Sequence, residues 1–174
     1  MKRDAWIAAL LLLLAATAPA RALASATIVN DPQGFNGIPW GAPLAGRPDL
    51  VLAQSMDRVQ GYDLKQGPPP LGQAKVESLR LFVIDGKFGR VTIRYRGSQT
   101  HAQVLAYLES AFGPVERAPG SMVRGLNQQF NWRGPETEVN LTFEAKGERG
   151  YLFIESRTLS PRFNDFLSDT GSGY

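Results

Sequence analysis

From residue 78 to residue 96 the chain alternates between apolar and polar positions. Leu79, Leu81 and Val83 are interleaved with Ser78, Arg80 and Phe82, and Val91, Ile93 and Tyr95 with Arg90, Thr92, Arg94 and Arg96. Successive side chains on a strand point to opposite faces. This period of two therefore predicts two antiparallel strands, each with one apolar and one wet side. Asp85-Gly86 between them is a strong two-residue hairpin signal. The same pattern returns later. Phe130 and Trp132 alternate with Gln129 and Asn131, and Val139, Leu141 and Phe143 with Glu138, Asn140, Thr142 and Glu144. After the polar turn "KGERG" comes "YLFIES" at 151–156, and "LVLAQ" at 50–54 also suits a strand.

Between the two sets of strands the period changes. Val104, Leu105, Leu108, Ala111 and Phe112 fall on one stripe of a helix. Ser98 or Thr100 is the expected cap, with Gln103 at the reciprocal position for Thr100. Gly113-Pro114 ends the helix, since Gly accepts a left-handed conformation and Pro cannot continue the ladder. Ser160-Pro161 opens a last short helix with Phe163, Phe166 and Leu167 on one side. Residues 41–49 support at most a weak helix, broken by Pro43, Gly46 and Pro48. Residues 57–73 read as a long loop ending in a stiff Pro68–Pro70 connector.

The expected fold is α+β. About six antiparallel strands form one sheet with helices on one face, in the order of a duplicated αβββ unit. Residues 34–159 make a single domain, 160–174 a short helix and disordered tail, and 25–33 a flexible leader.

Composition changes this picture at the N-terminus. Lys2 and Arg3 precede an apolar run from Trp6 to Ala20, and Ala22-Leu23-Ala24 offers small residues for a signal peptidase. The run is shorter than the roughly 20 residues of a spanning helix. Residues 1–24 are thus an expected signal peptide, and the mature chain is expected in the periplasm or secreted, with no membrane insertion after cleavage. No Cys follows the run, which excludes a lipid anchor at that point. The full chain has 19 Lys+Arg against 16 Asp+Glu. Without the segment 16 basic and 15 acidic residues remain, a balance that argues against a nucleic-acid partner.

Candidate chemistry is sparse. There is no Cys and one His, which removes thiol nucleophiles, redox motifs and multi-His zinc sites. Nucleophile-elbow, Walker, zincin and calcium-loop patterns are absent. Neither a catalytic residue, a metal ligand nor a cofactor is expected. His101 reads as an exposed residue in the first turn of the helix, and Asp165 and Asp169 as ordinary surface carboxylates. Arg80, Arg90, Arg94 and Arg96 share the wet side of the sheet and could bind an acidic partner. The alternative is that they meet Glu138, Glu144 or Glu155 across strands. The stretch "GFNGIPWG" at 34–41 reads as an anchor rather than a ligand loop: Phe35, Ile38 and Trp40 plug the edge of the domain, and Gly37 and Gly41 supply bends.

"FNGIPWG" also resembles the F-x-G-I-x-W-G entry motif of a group of exported bacterial proteins of unknown function. Tyr62, Asp85 to Phe88, Val91 with Ile93, the "FGP" ending the helix, and Trp132, Gly134, Val139 and Leu141 fit its continuation, over roughly residues 34–156. The two prolines after Trp40 depart from it. The resemblance implies an architecture similar to the helix-and-strand repeats of β-lactamase inhibitor proteins and small outer-membrane assembly lipoproteins, and it implies no catalytic residues. The expected function is a periplasmic, non-catalytic binding module, with an envelope protein as partner. A carboxylate-dependent envelope hydrolase and a structural or envelope-stress protein are the alternatives.

Overall fold

The computed structural model describes residues 26–115 and 127–169. The expected signal peptide and the tail beyond residue 169 lie outside the described residues. Ten strands are present: β1 (Ala26–Thr27), β2 (Gly34–Phe35), β3 (Ile38–Pro39), β4 (Leu50–Met56), β5 (Val59–Leu64), β6 (Ser78–Ile84), β7 (Lys87–Arg96), β8 (Gln128–Arg133), β9 (Thr137–Glu144) and β10 (Arg149–Ser156). The helices are α1 (Ser98–Phe112) and α2 (Ser160–Asp169). Eight strands form one mixed sheet in the order β1-β8-β9-β10-β7-β6-β5-β4, while β2 and β3 make a separate small hairpin.

The sheet is two antiparallel meanders, β4 to β7 and β8 to β10, joined where β7 pairs with β10. Helix α1 carries the chain from the middle of the sheet to its far side. Three expectations change. The sheet has eight strands rather than six, because β5 lies in the expected 57–73 loop and β1 in the expected leader. Residues 41–49 form turns and no helix, as their prolines and Gly46 dictate, so each helix follows a run of strands instead of preceding it. The helices also do not share a face. His101, Val104, Leu105, Leu108 and Phe112 of α1 are buried in the cluster that holds Leu81, Ile93 and Leu141. Phe163 and Phe166 of α2 instead pack with Val59, Ile84 and Phe82, on the opposite side of the sheet.

A β-bulge explains how α2 docks there. Val83 pairs with Phe88 and Phe82 with Arg90, so Gly89 is the extra residue. A Cβ on Gly89 would lie 2.9 Å from both the Leu159 Cβ and the Phe163 ring, which leaves the helix room only against glycine.

The leader is tied down. Ala26 and Thr27 pair in parallel with Trp132 and Arg133, and Ile28 is buried. Asp31 then acts as a clasp: its carboxylate accepts backbone N–H bonds from Gln33 (3.1 Å), Glu136 (2.7 Å) and Thr137 (3.1 Å). Burial pushes the Asp31 carboxyl up, but the Thr137 hydroxyl and these three N–H groups outweigh it and hold it below the usual value. Gly134 makes room, since a Cβ there would sit 2.4 Å from the Asp31 oxygen.

Candidate functional site

The entry motif is a hairpin. Gly34 pairs with Pro39 and Phe35 with Ile38, around Asn36 and Gly37, both at positive φ (50° and 76°). Two positive φ values in a two-residue turn are what Asn-Gly supplies. Trp40 leaves the hairpin half-buried, donates its indole N–H to the Thr137 hydroxyl at 3.0 Å and meets the Phe88 ring at 4.9 Å. Backbone bonds from Gly41 to Phe88 and from Phe88 to Ala42 fasten the motif to β7. Ile38 is buried, and Phe35 and Trp40 pack at the rim of the core. The three residues expected as anchors do converge on the fold.

His101 differs from its expected exposure: it is only 6% exposed. It extends the apolar stripe of α1 by one turn, because it lies three and four residues before Val104 and Leu105. Its ring stacks on Phe143 with centroids 4.2 Å apart. Nε2 faces the Gln128 amide oxygen at 3.3 Å, and Nδ1 faces the Tyr95 hydroxyl at 2.6 Å. An amide oxygen only accepts, so Nε2 carries the proton, and Nδ1 accepts from the phenol. Burial lowers the His101 pKa, partly offset by Gln128, and raises that of Tyr95. This neutral, fully engaged ring holds α1 to the sheet. The helix cap also differs from expectation. Gly97 at φ 97° is the cap, and Ser98 instead donates to Glu148 at 2.5 Å in the turn before β10.

The other side of the sheet carries the candidate site. Cross-strand pairing arranges its side chains in rows. One runs Ser78, Arg94, Tyr151, Thr142, Gln129; the next runs Asp63, Arg80, Thr92, Phe153, Asn140, Asn131; a third runs Phe82, Arg90, Glu155, Glu138, Arg133. Between β7 and β8, walled at one end by Asn164 of α2, they enclose an open groove of about 850 Å³. That lies within the roughly 300–1,000 Å³ of small-molecule clefts.

The four candidate arginines separate by register. Arg80 makes a two-pronged pair with Asp63 at 2.7 and 2.8 Å, and this hydrogen-bonded partner raises its pKa against the opposing pull of burial. Arg96 is 3.5 Å from Glu77 on the surface. Arg90 corrects the expectation that this edge faces water, for it is buried. Its Nε lies 2.7 Å from Glu155, off the hydrogen-bond axis, while Nη2 donates to Asn164 at 3.1 Å and the guanidinium covers the Phe163 ring at 4.7 Å. Helix α2 thus converts Arg90 into a packing residue. Arg94 is exposed like Arg96 but, alone of the four, has no ion pair or side-chain hydrogen bond among the described residues. It stands between the groove and a smaller hollow of about 200 Å³ rimmed by Glu77, Arg96 and Arg149.

Tyr151 and Phe153 line the same groove with Asn140, Thr142 and Gln129. They are missing from the sequence expectation. The signal was present in parity: Leu152 and Ile154 face the core, so the two aromatic residues between and before them must stand on the wet side. Carboxylates are present as well. Glu138 and Glu155 oppose each other across β9 and β10. Both Glu155 oxygens are engaged, one by Arg90 and the other by the Ser160 hydroxyl at 2.6 Å. Glu138 accepts from Asn131 at 3.0 Å. Among the described residues no three His, Asp or Glu side chains are grouped to hold a metal ion. No protein-family model, no curated protein and no solved structure matches this chain.

Proposed function

We propose that this chain is an exported, non-catalytic binding module of the cell envelope, and that it binds through the open sheet face between β7 and β8. One observation carries the reading. In this groove an Arg94 with no side-chain partner among the described residues stands beside the half-buried rings of Tyr151 and Phe153 and the polar groups of Gln129, Asn140 and Thr142. Convergent polar groups around apolar surface are the ordinary composition of a binding cleft. The opposite side of the sheet is covered by α1.

The hydrolase alternative needs a free acid and base roughly 5–10 Å apart. Glu138 and Glu155 are neighbours, but their oxygens are taken up by donors within the fold. Glu144, the other carboxylate of the groove, lies across from position 149, six positions before Glu155 and about 20 Å along the strand. This arrangement favours binding over bond cleavage.

The test is photocrosslinking in intact cells from a photoreactive residue placed at Thr142, in the groove, or at Tyr107, on the exposed side of α1. A discrete adduct from position 142 and none from 107 is the expected result. Equal labelling from both positions, or none from 142, would remove the sheet face from consideration.

A further inference from the structure

We infer that the groove takes an uncharged oligosaccharide, an inference that rests on the reading of this face as the binding surface. The first step concerns the backbone. Strands β7, β10, β9 and β8 are each paired on both sides, with β1 closing the outer side of β8 at Trp132 and Arg133. The N–H and C=O groups of β7, β10 and β9 are spent within the sheet, and on β8 only the outer edge at residues 128–131, beyond the two-residue β1, has no strand partner among the described residues. A peptide lying across this face would find no backbone partners for its own amides, and an unmatched buried amide is costly. Peptides join sheets at edges, where those groups are free. The groove opens on the face of the sheet rather than along its edge, so a ligand lying in it meets side chains.

The second step concerns which side chains. Gln129 and Thr142 each offer both a donor and an acceptor, as sugar hydroxyls do, and Asn140, whose amide oxygen accepts from Asn131 at 2.6 Å, offers its N–H donors. Beside them stand Tyr151 and Phe153. They lie two positions apart on β10 and project to one face, about 6.6 Å from each other along the strand. Neither ring has an aromatic partner among the described residues, and the Tyr151 hydroxyl has no hydrogen bond there. Such rings offer flat apolar surface to the C–H face of a pyranose, while the amides reach its rim.

The third step concerns charge. Two arginines (Arg90, Arg94) and two glutamates (Glu144, Glu155) line the groove, which makes it formally neutral. Arg90 and Glu155 cancel each other at 2.7 Å. Arg94, a pure donor, and Glu144, a pure acceptor, remain unpaired and bracket Tyr151 and Thr142 diagonally. A hydroxyl can satisfy either one. An anionic polymer would meet Glu144 as well as Arg94, and a cationic one the reverse. An uncharged polyol suits both.

The experiment is a titration of the mature protein, followed by calorimetry and by NMR, with hexasaccharides of glucose, mannose and N-acetylglucosamine. Hexagalacturonate and a mixed-sequence hexapeptide complete the panel. At least one neutral hexasaccharide should bind and shift the resonances of Tyr151 and Phe153. Tyr151→Ala should weaken it roughly tenfold or more, about 1.4 kcal/mol or more, and Arg94→Ala less, with thermal unfolding unchanged in both. Tyr107→Ala on the far side should leave it unaltered. Binding of hexagalacturonate alone would overturn the charge argument, and binding of no sugar in the panel would overturn the inference. If no sugar binds while the residue at 142 still captures a protein, the oligosaccharide falls and the binding face stands. If neither experiment gives a signal, both fall.

Discussion

The two faces of the sheet are written in the same alternating code and yet carry different amounts of information. On the α1 side every second residue is apolar, and knowing the parity is enough to know the fate of the side chain. Val139, Leu141, Leu152 and Trp132 are completely buried wherever their neighbours come from. On the other side parity gives orientation only. Arg80, Arg90, Arg94 and Arg96 all point the same way, but one is clasped by Asp63, one is buried under α2, one leans on a surface glutamate and one is free. Apolar residues accept any apolar neighbour, so a core tolerates ignorance of register. A charged residue is defined by its particular partner, and that partner is set by which strand lies alongside.

The comparison can be broken most forcefully on the core side. Trp132 is wholly buried and donates to the Gly113 carbonyl at 2.9 Å at the end of α1. Trp132→Ala should cost about 3–5 kcal/mol in urea denaturation. Trp40→Ala removes a half-buried ring and one side-chain hydrogen bond, and about 2 kcal/mol is expected.

On the polar side the sharpest prediction concerns Arg90. Arg90→Ala leaves Glu155 buried without its cation and should cost about 3 kcal/mol. Replacing both with methionine should return stability to within about 1 kcal/mol of the native chain, because the desolvation penalty of both charges is removed together. If the single and double variants are equally damaged, Arg90 belongs to the wet surface and the contrast between the faces weakens.

A smaller effect follows from His101. Its folded-state pKa is lowered chiefly by burial, below an unfolded value of 6.5. Above that value both states are neutral and its contribution is complete. As pH falls through and below 6.5 the unfolded chain takes up the proton first, so stability declines until the folded-state pKa is passed. Melting curves between about pH 7.5 and 5 should show this decline, and His101→Gln should flatten it. The smallest effect is expected at Arg94: Arg94→Ala should change stability by no more than roughly 0.5 kcal/mol. A larger loss would mean that Arg94, too, is structural.

The legible parts of the fold were those with local causes. The hairpin at Asp85-Gly86, the α1 stripe and the alternating strands follow from neighbours in sequence. Asn36-Gly37 is a turn signal of the same kind, hidden among glycines and a proline. Strand β5 was illegible because Gly61 interrupts its pattern. That glycine is needed since a Cβ would lie 2.9 Å from Arg80 Cδ and 3.0 Å from the Phe82 ring, a demand made by another strand. The leader looked mobile for the same reason. Its polar residues gain their role from a turn far along the chain. Of the candidate site, Arg94 was identified and Tyr151 and Phe153 were not, although their parity was available. Which arginine would be free could be read only once α2 and Asp63 had been placed.

The Asp31 clasp has a consequence for the order of assembly. Its partners at Glu136 and Thr137 are 105 and 106 positions away, and β1 has no other strand to join. Apart from the Val29 N–H, which donates to the Phe112 carbonyl at the end of α1, the first described residues are held by partners that exist only once β8 and the turn after it have formed. Together with the β1–β8 pairs, these contacts close the longest loop among the described residues, and contacts so remote are expected late in folding. Strand β1 is the last part of the described sheet to close.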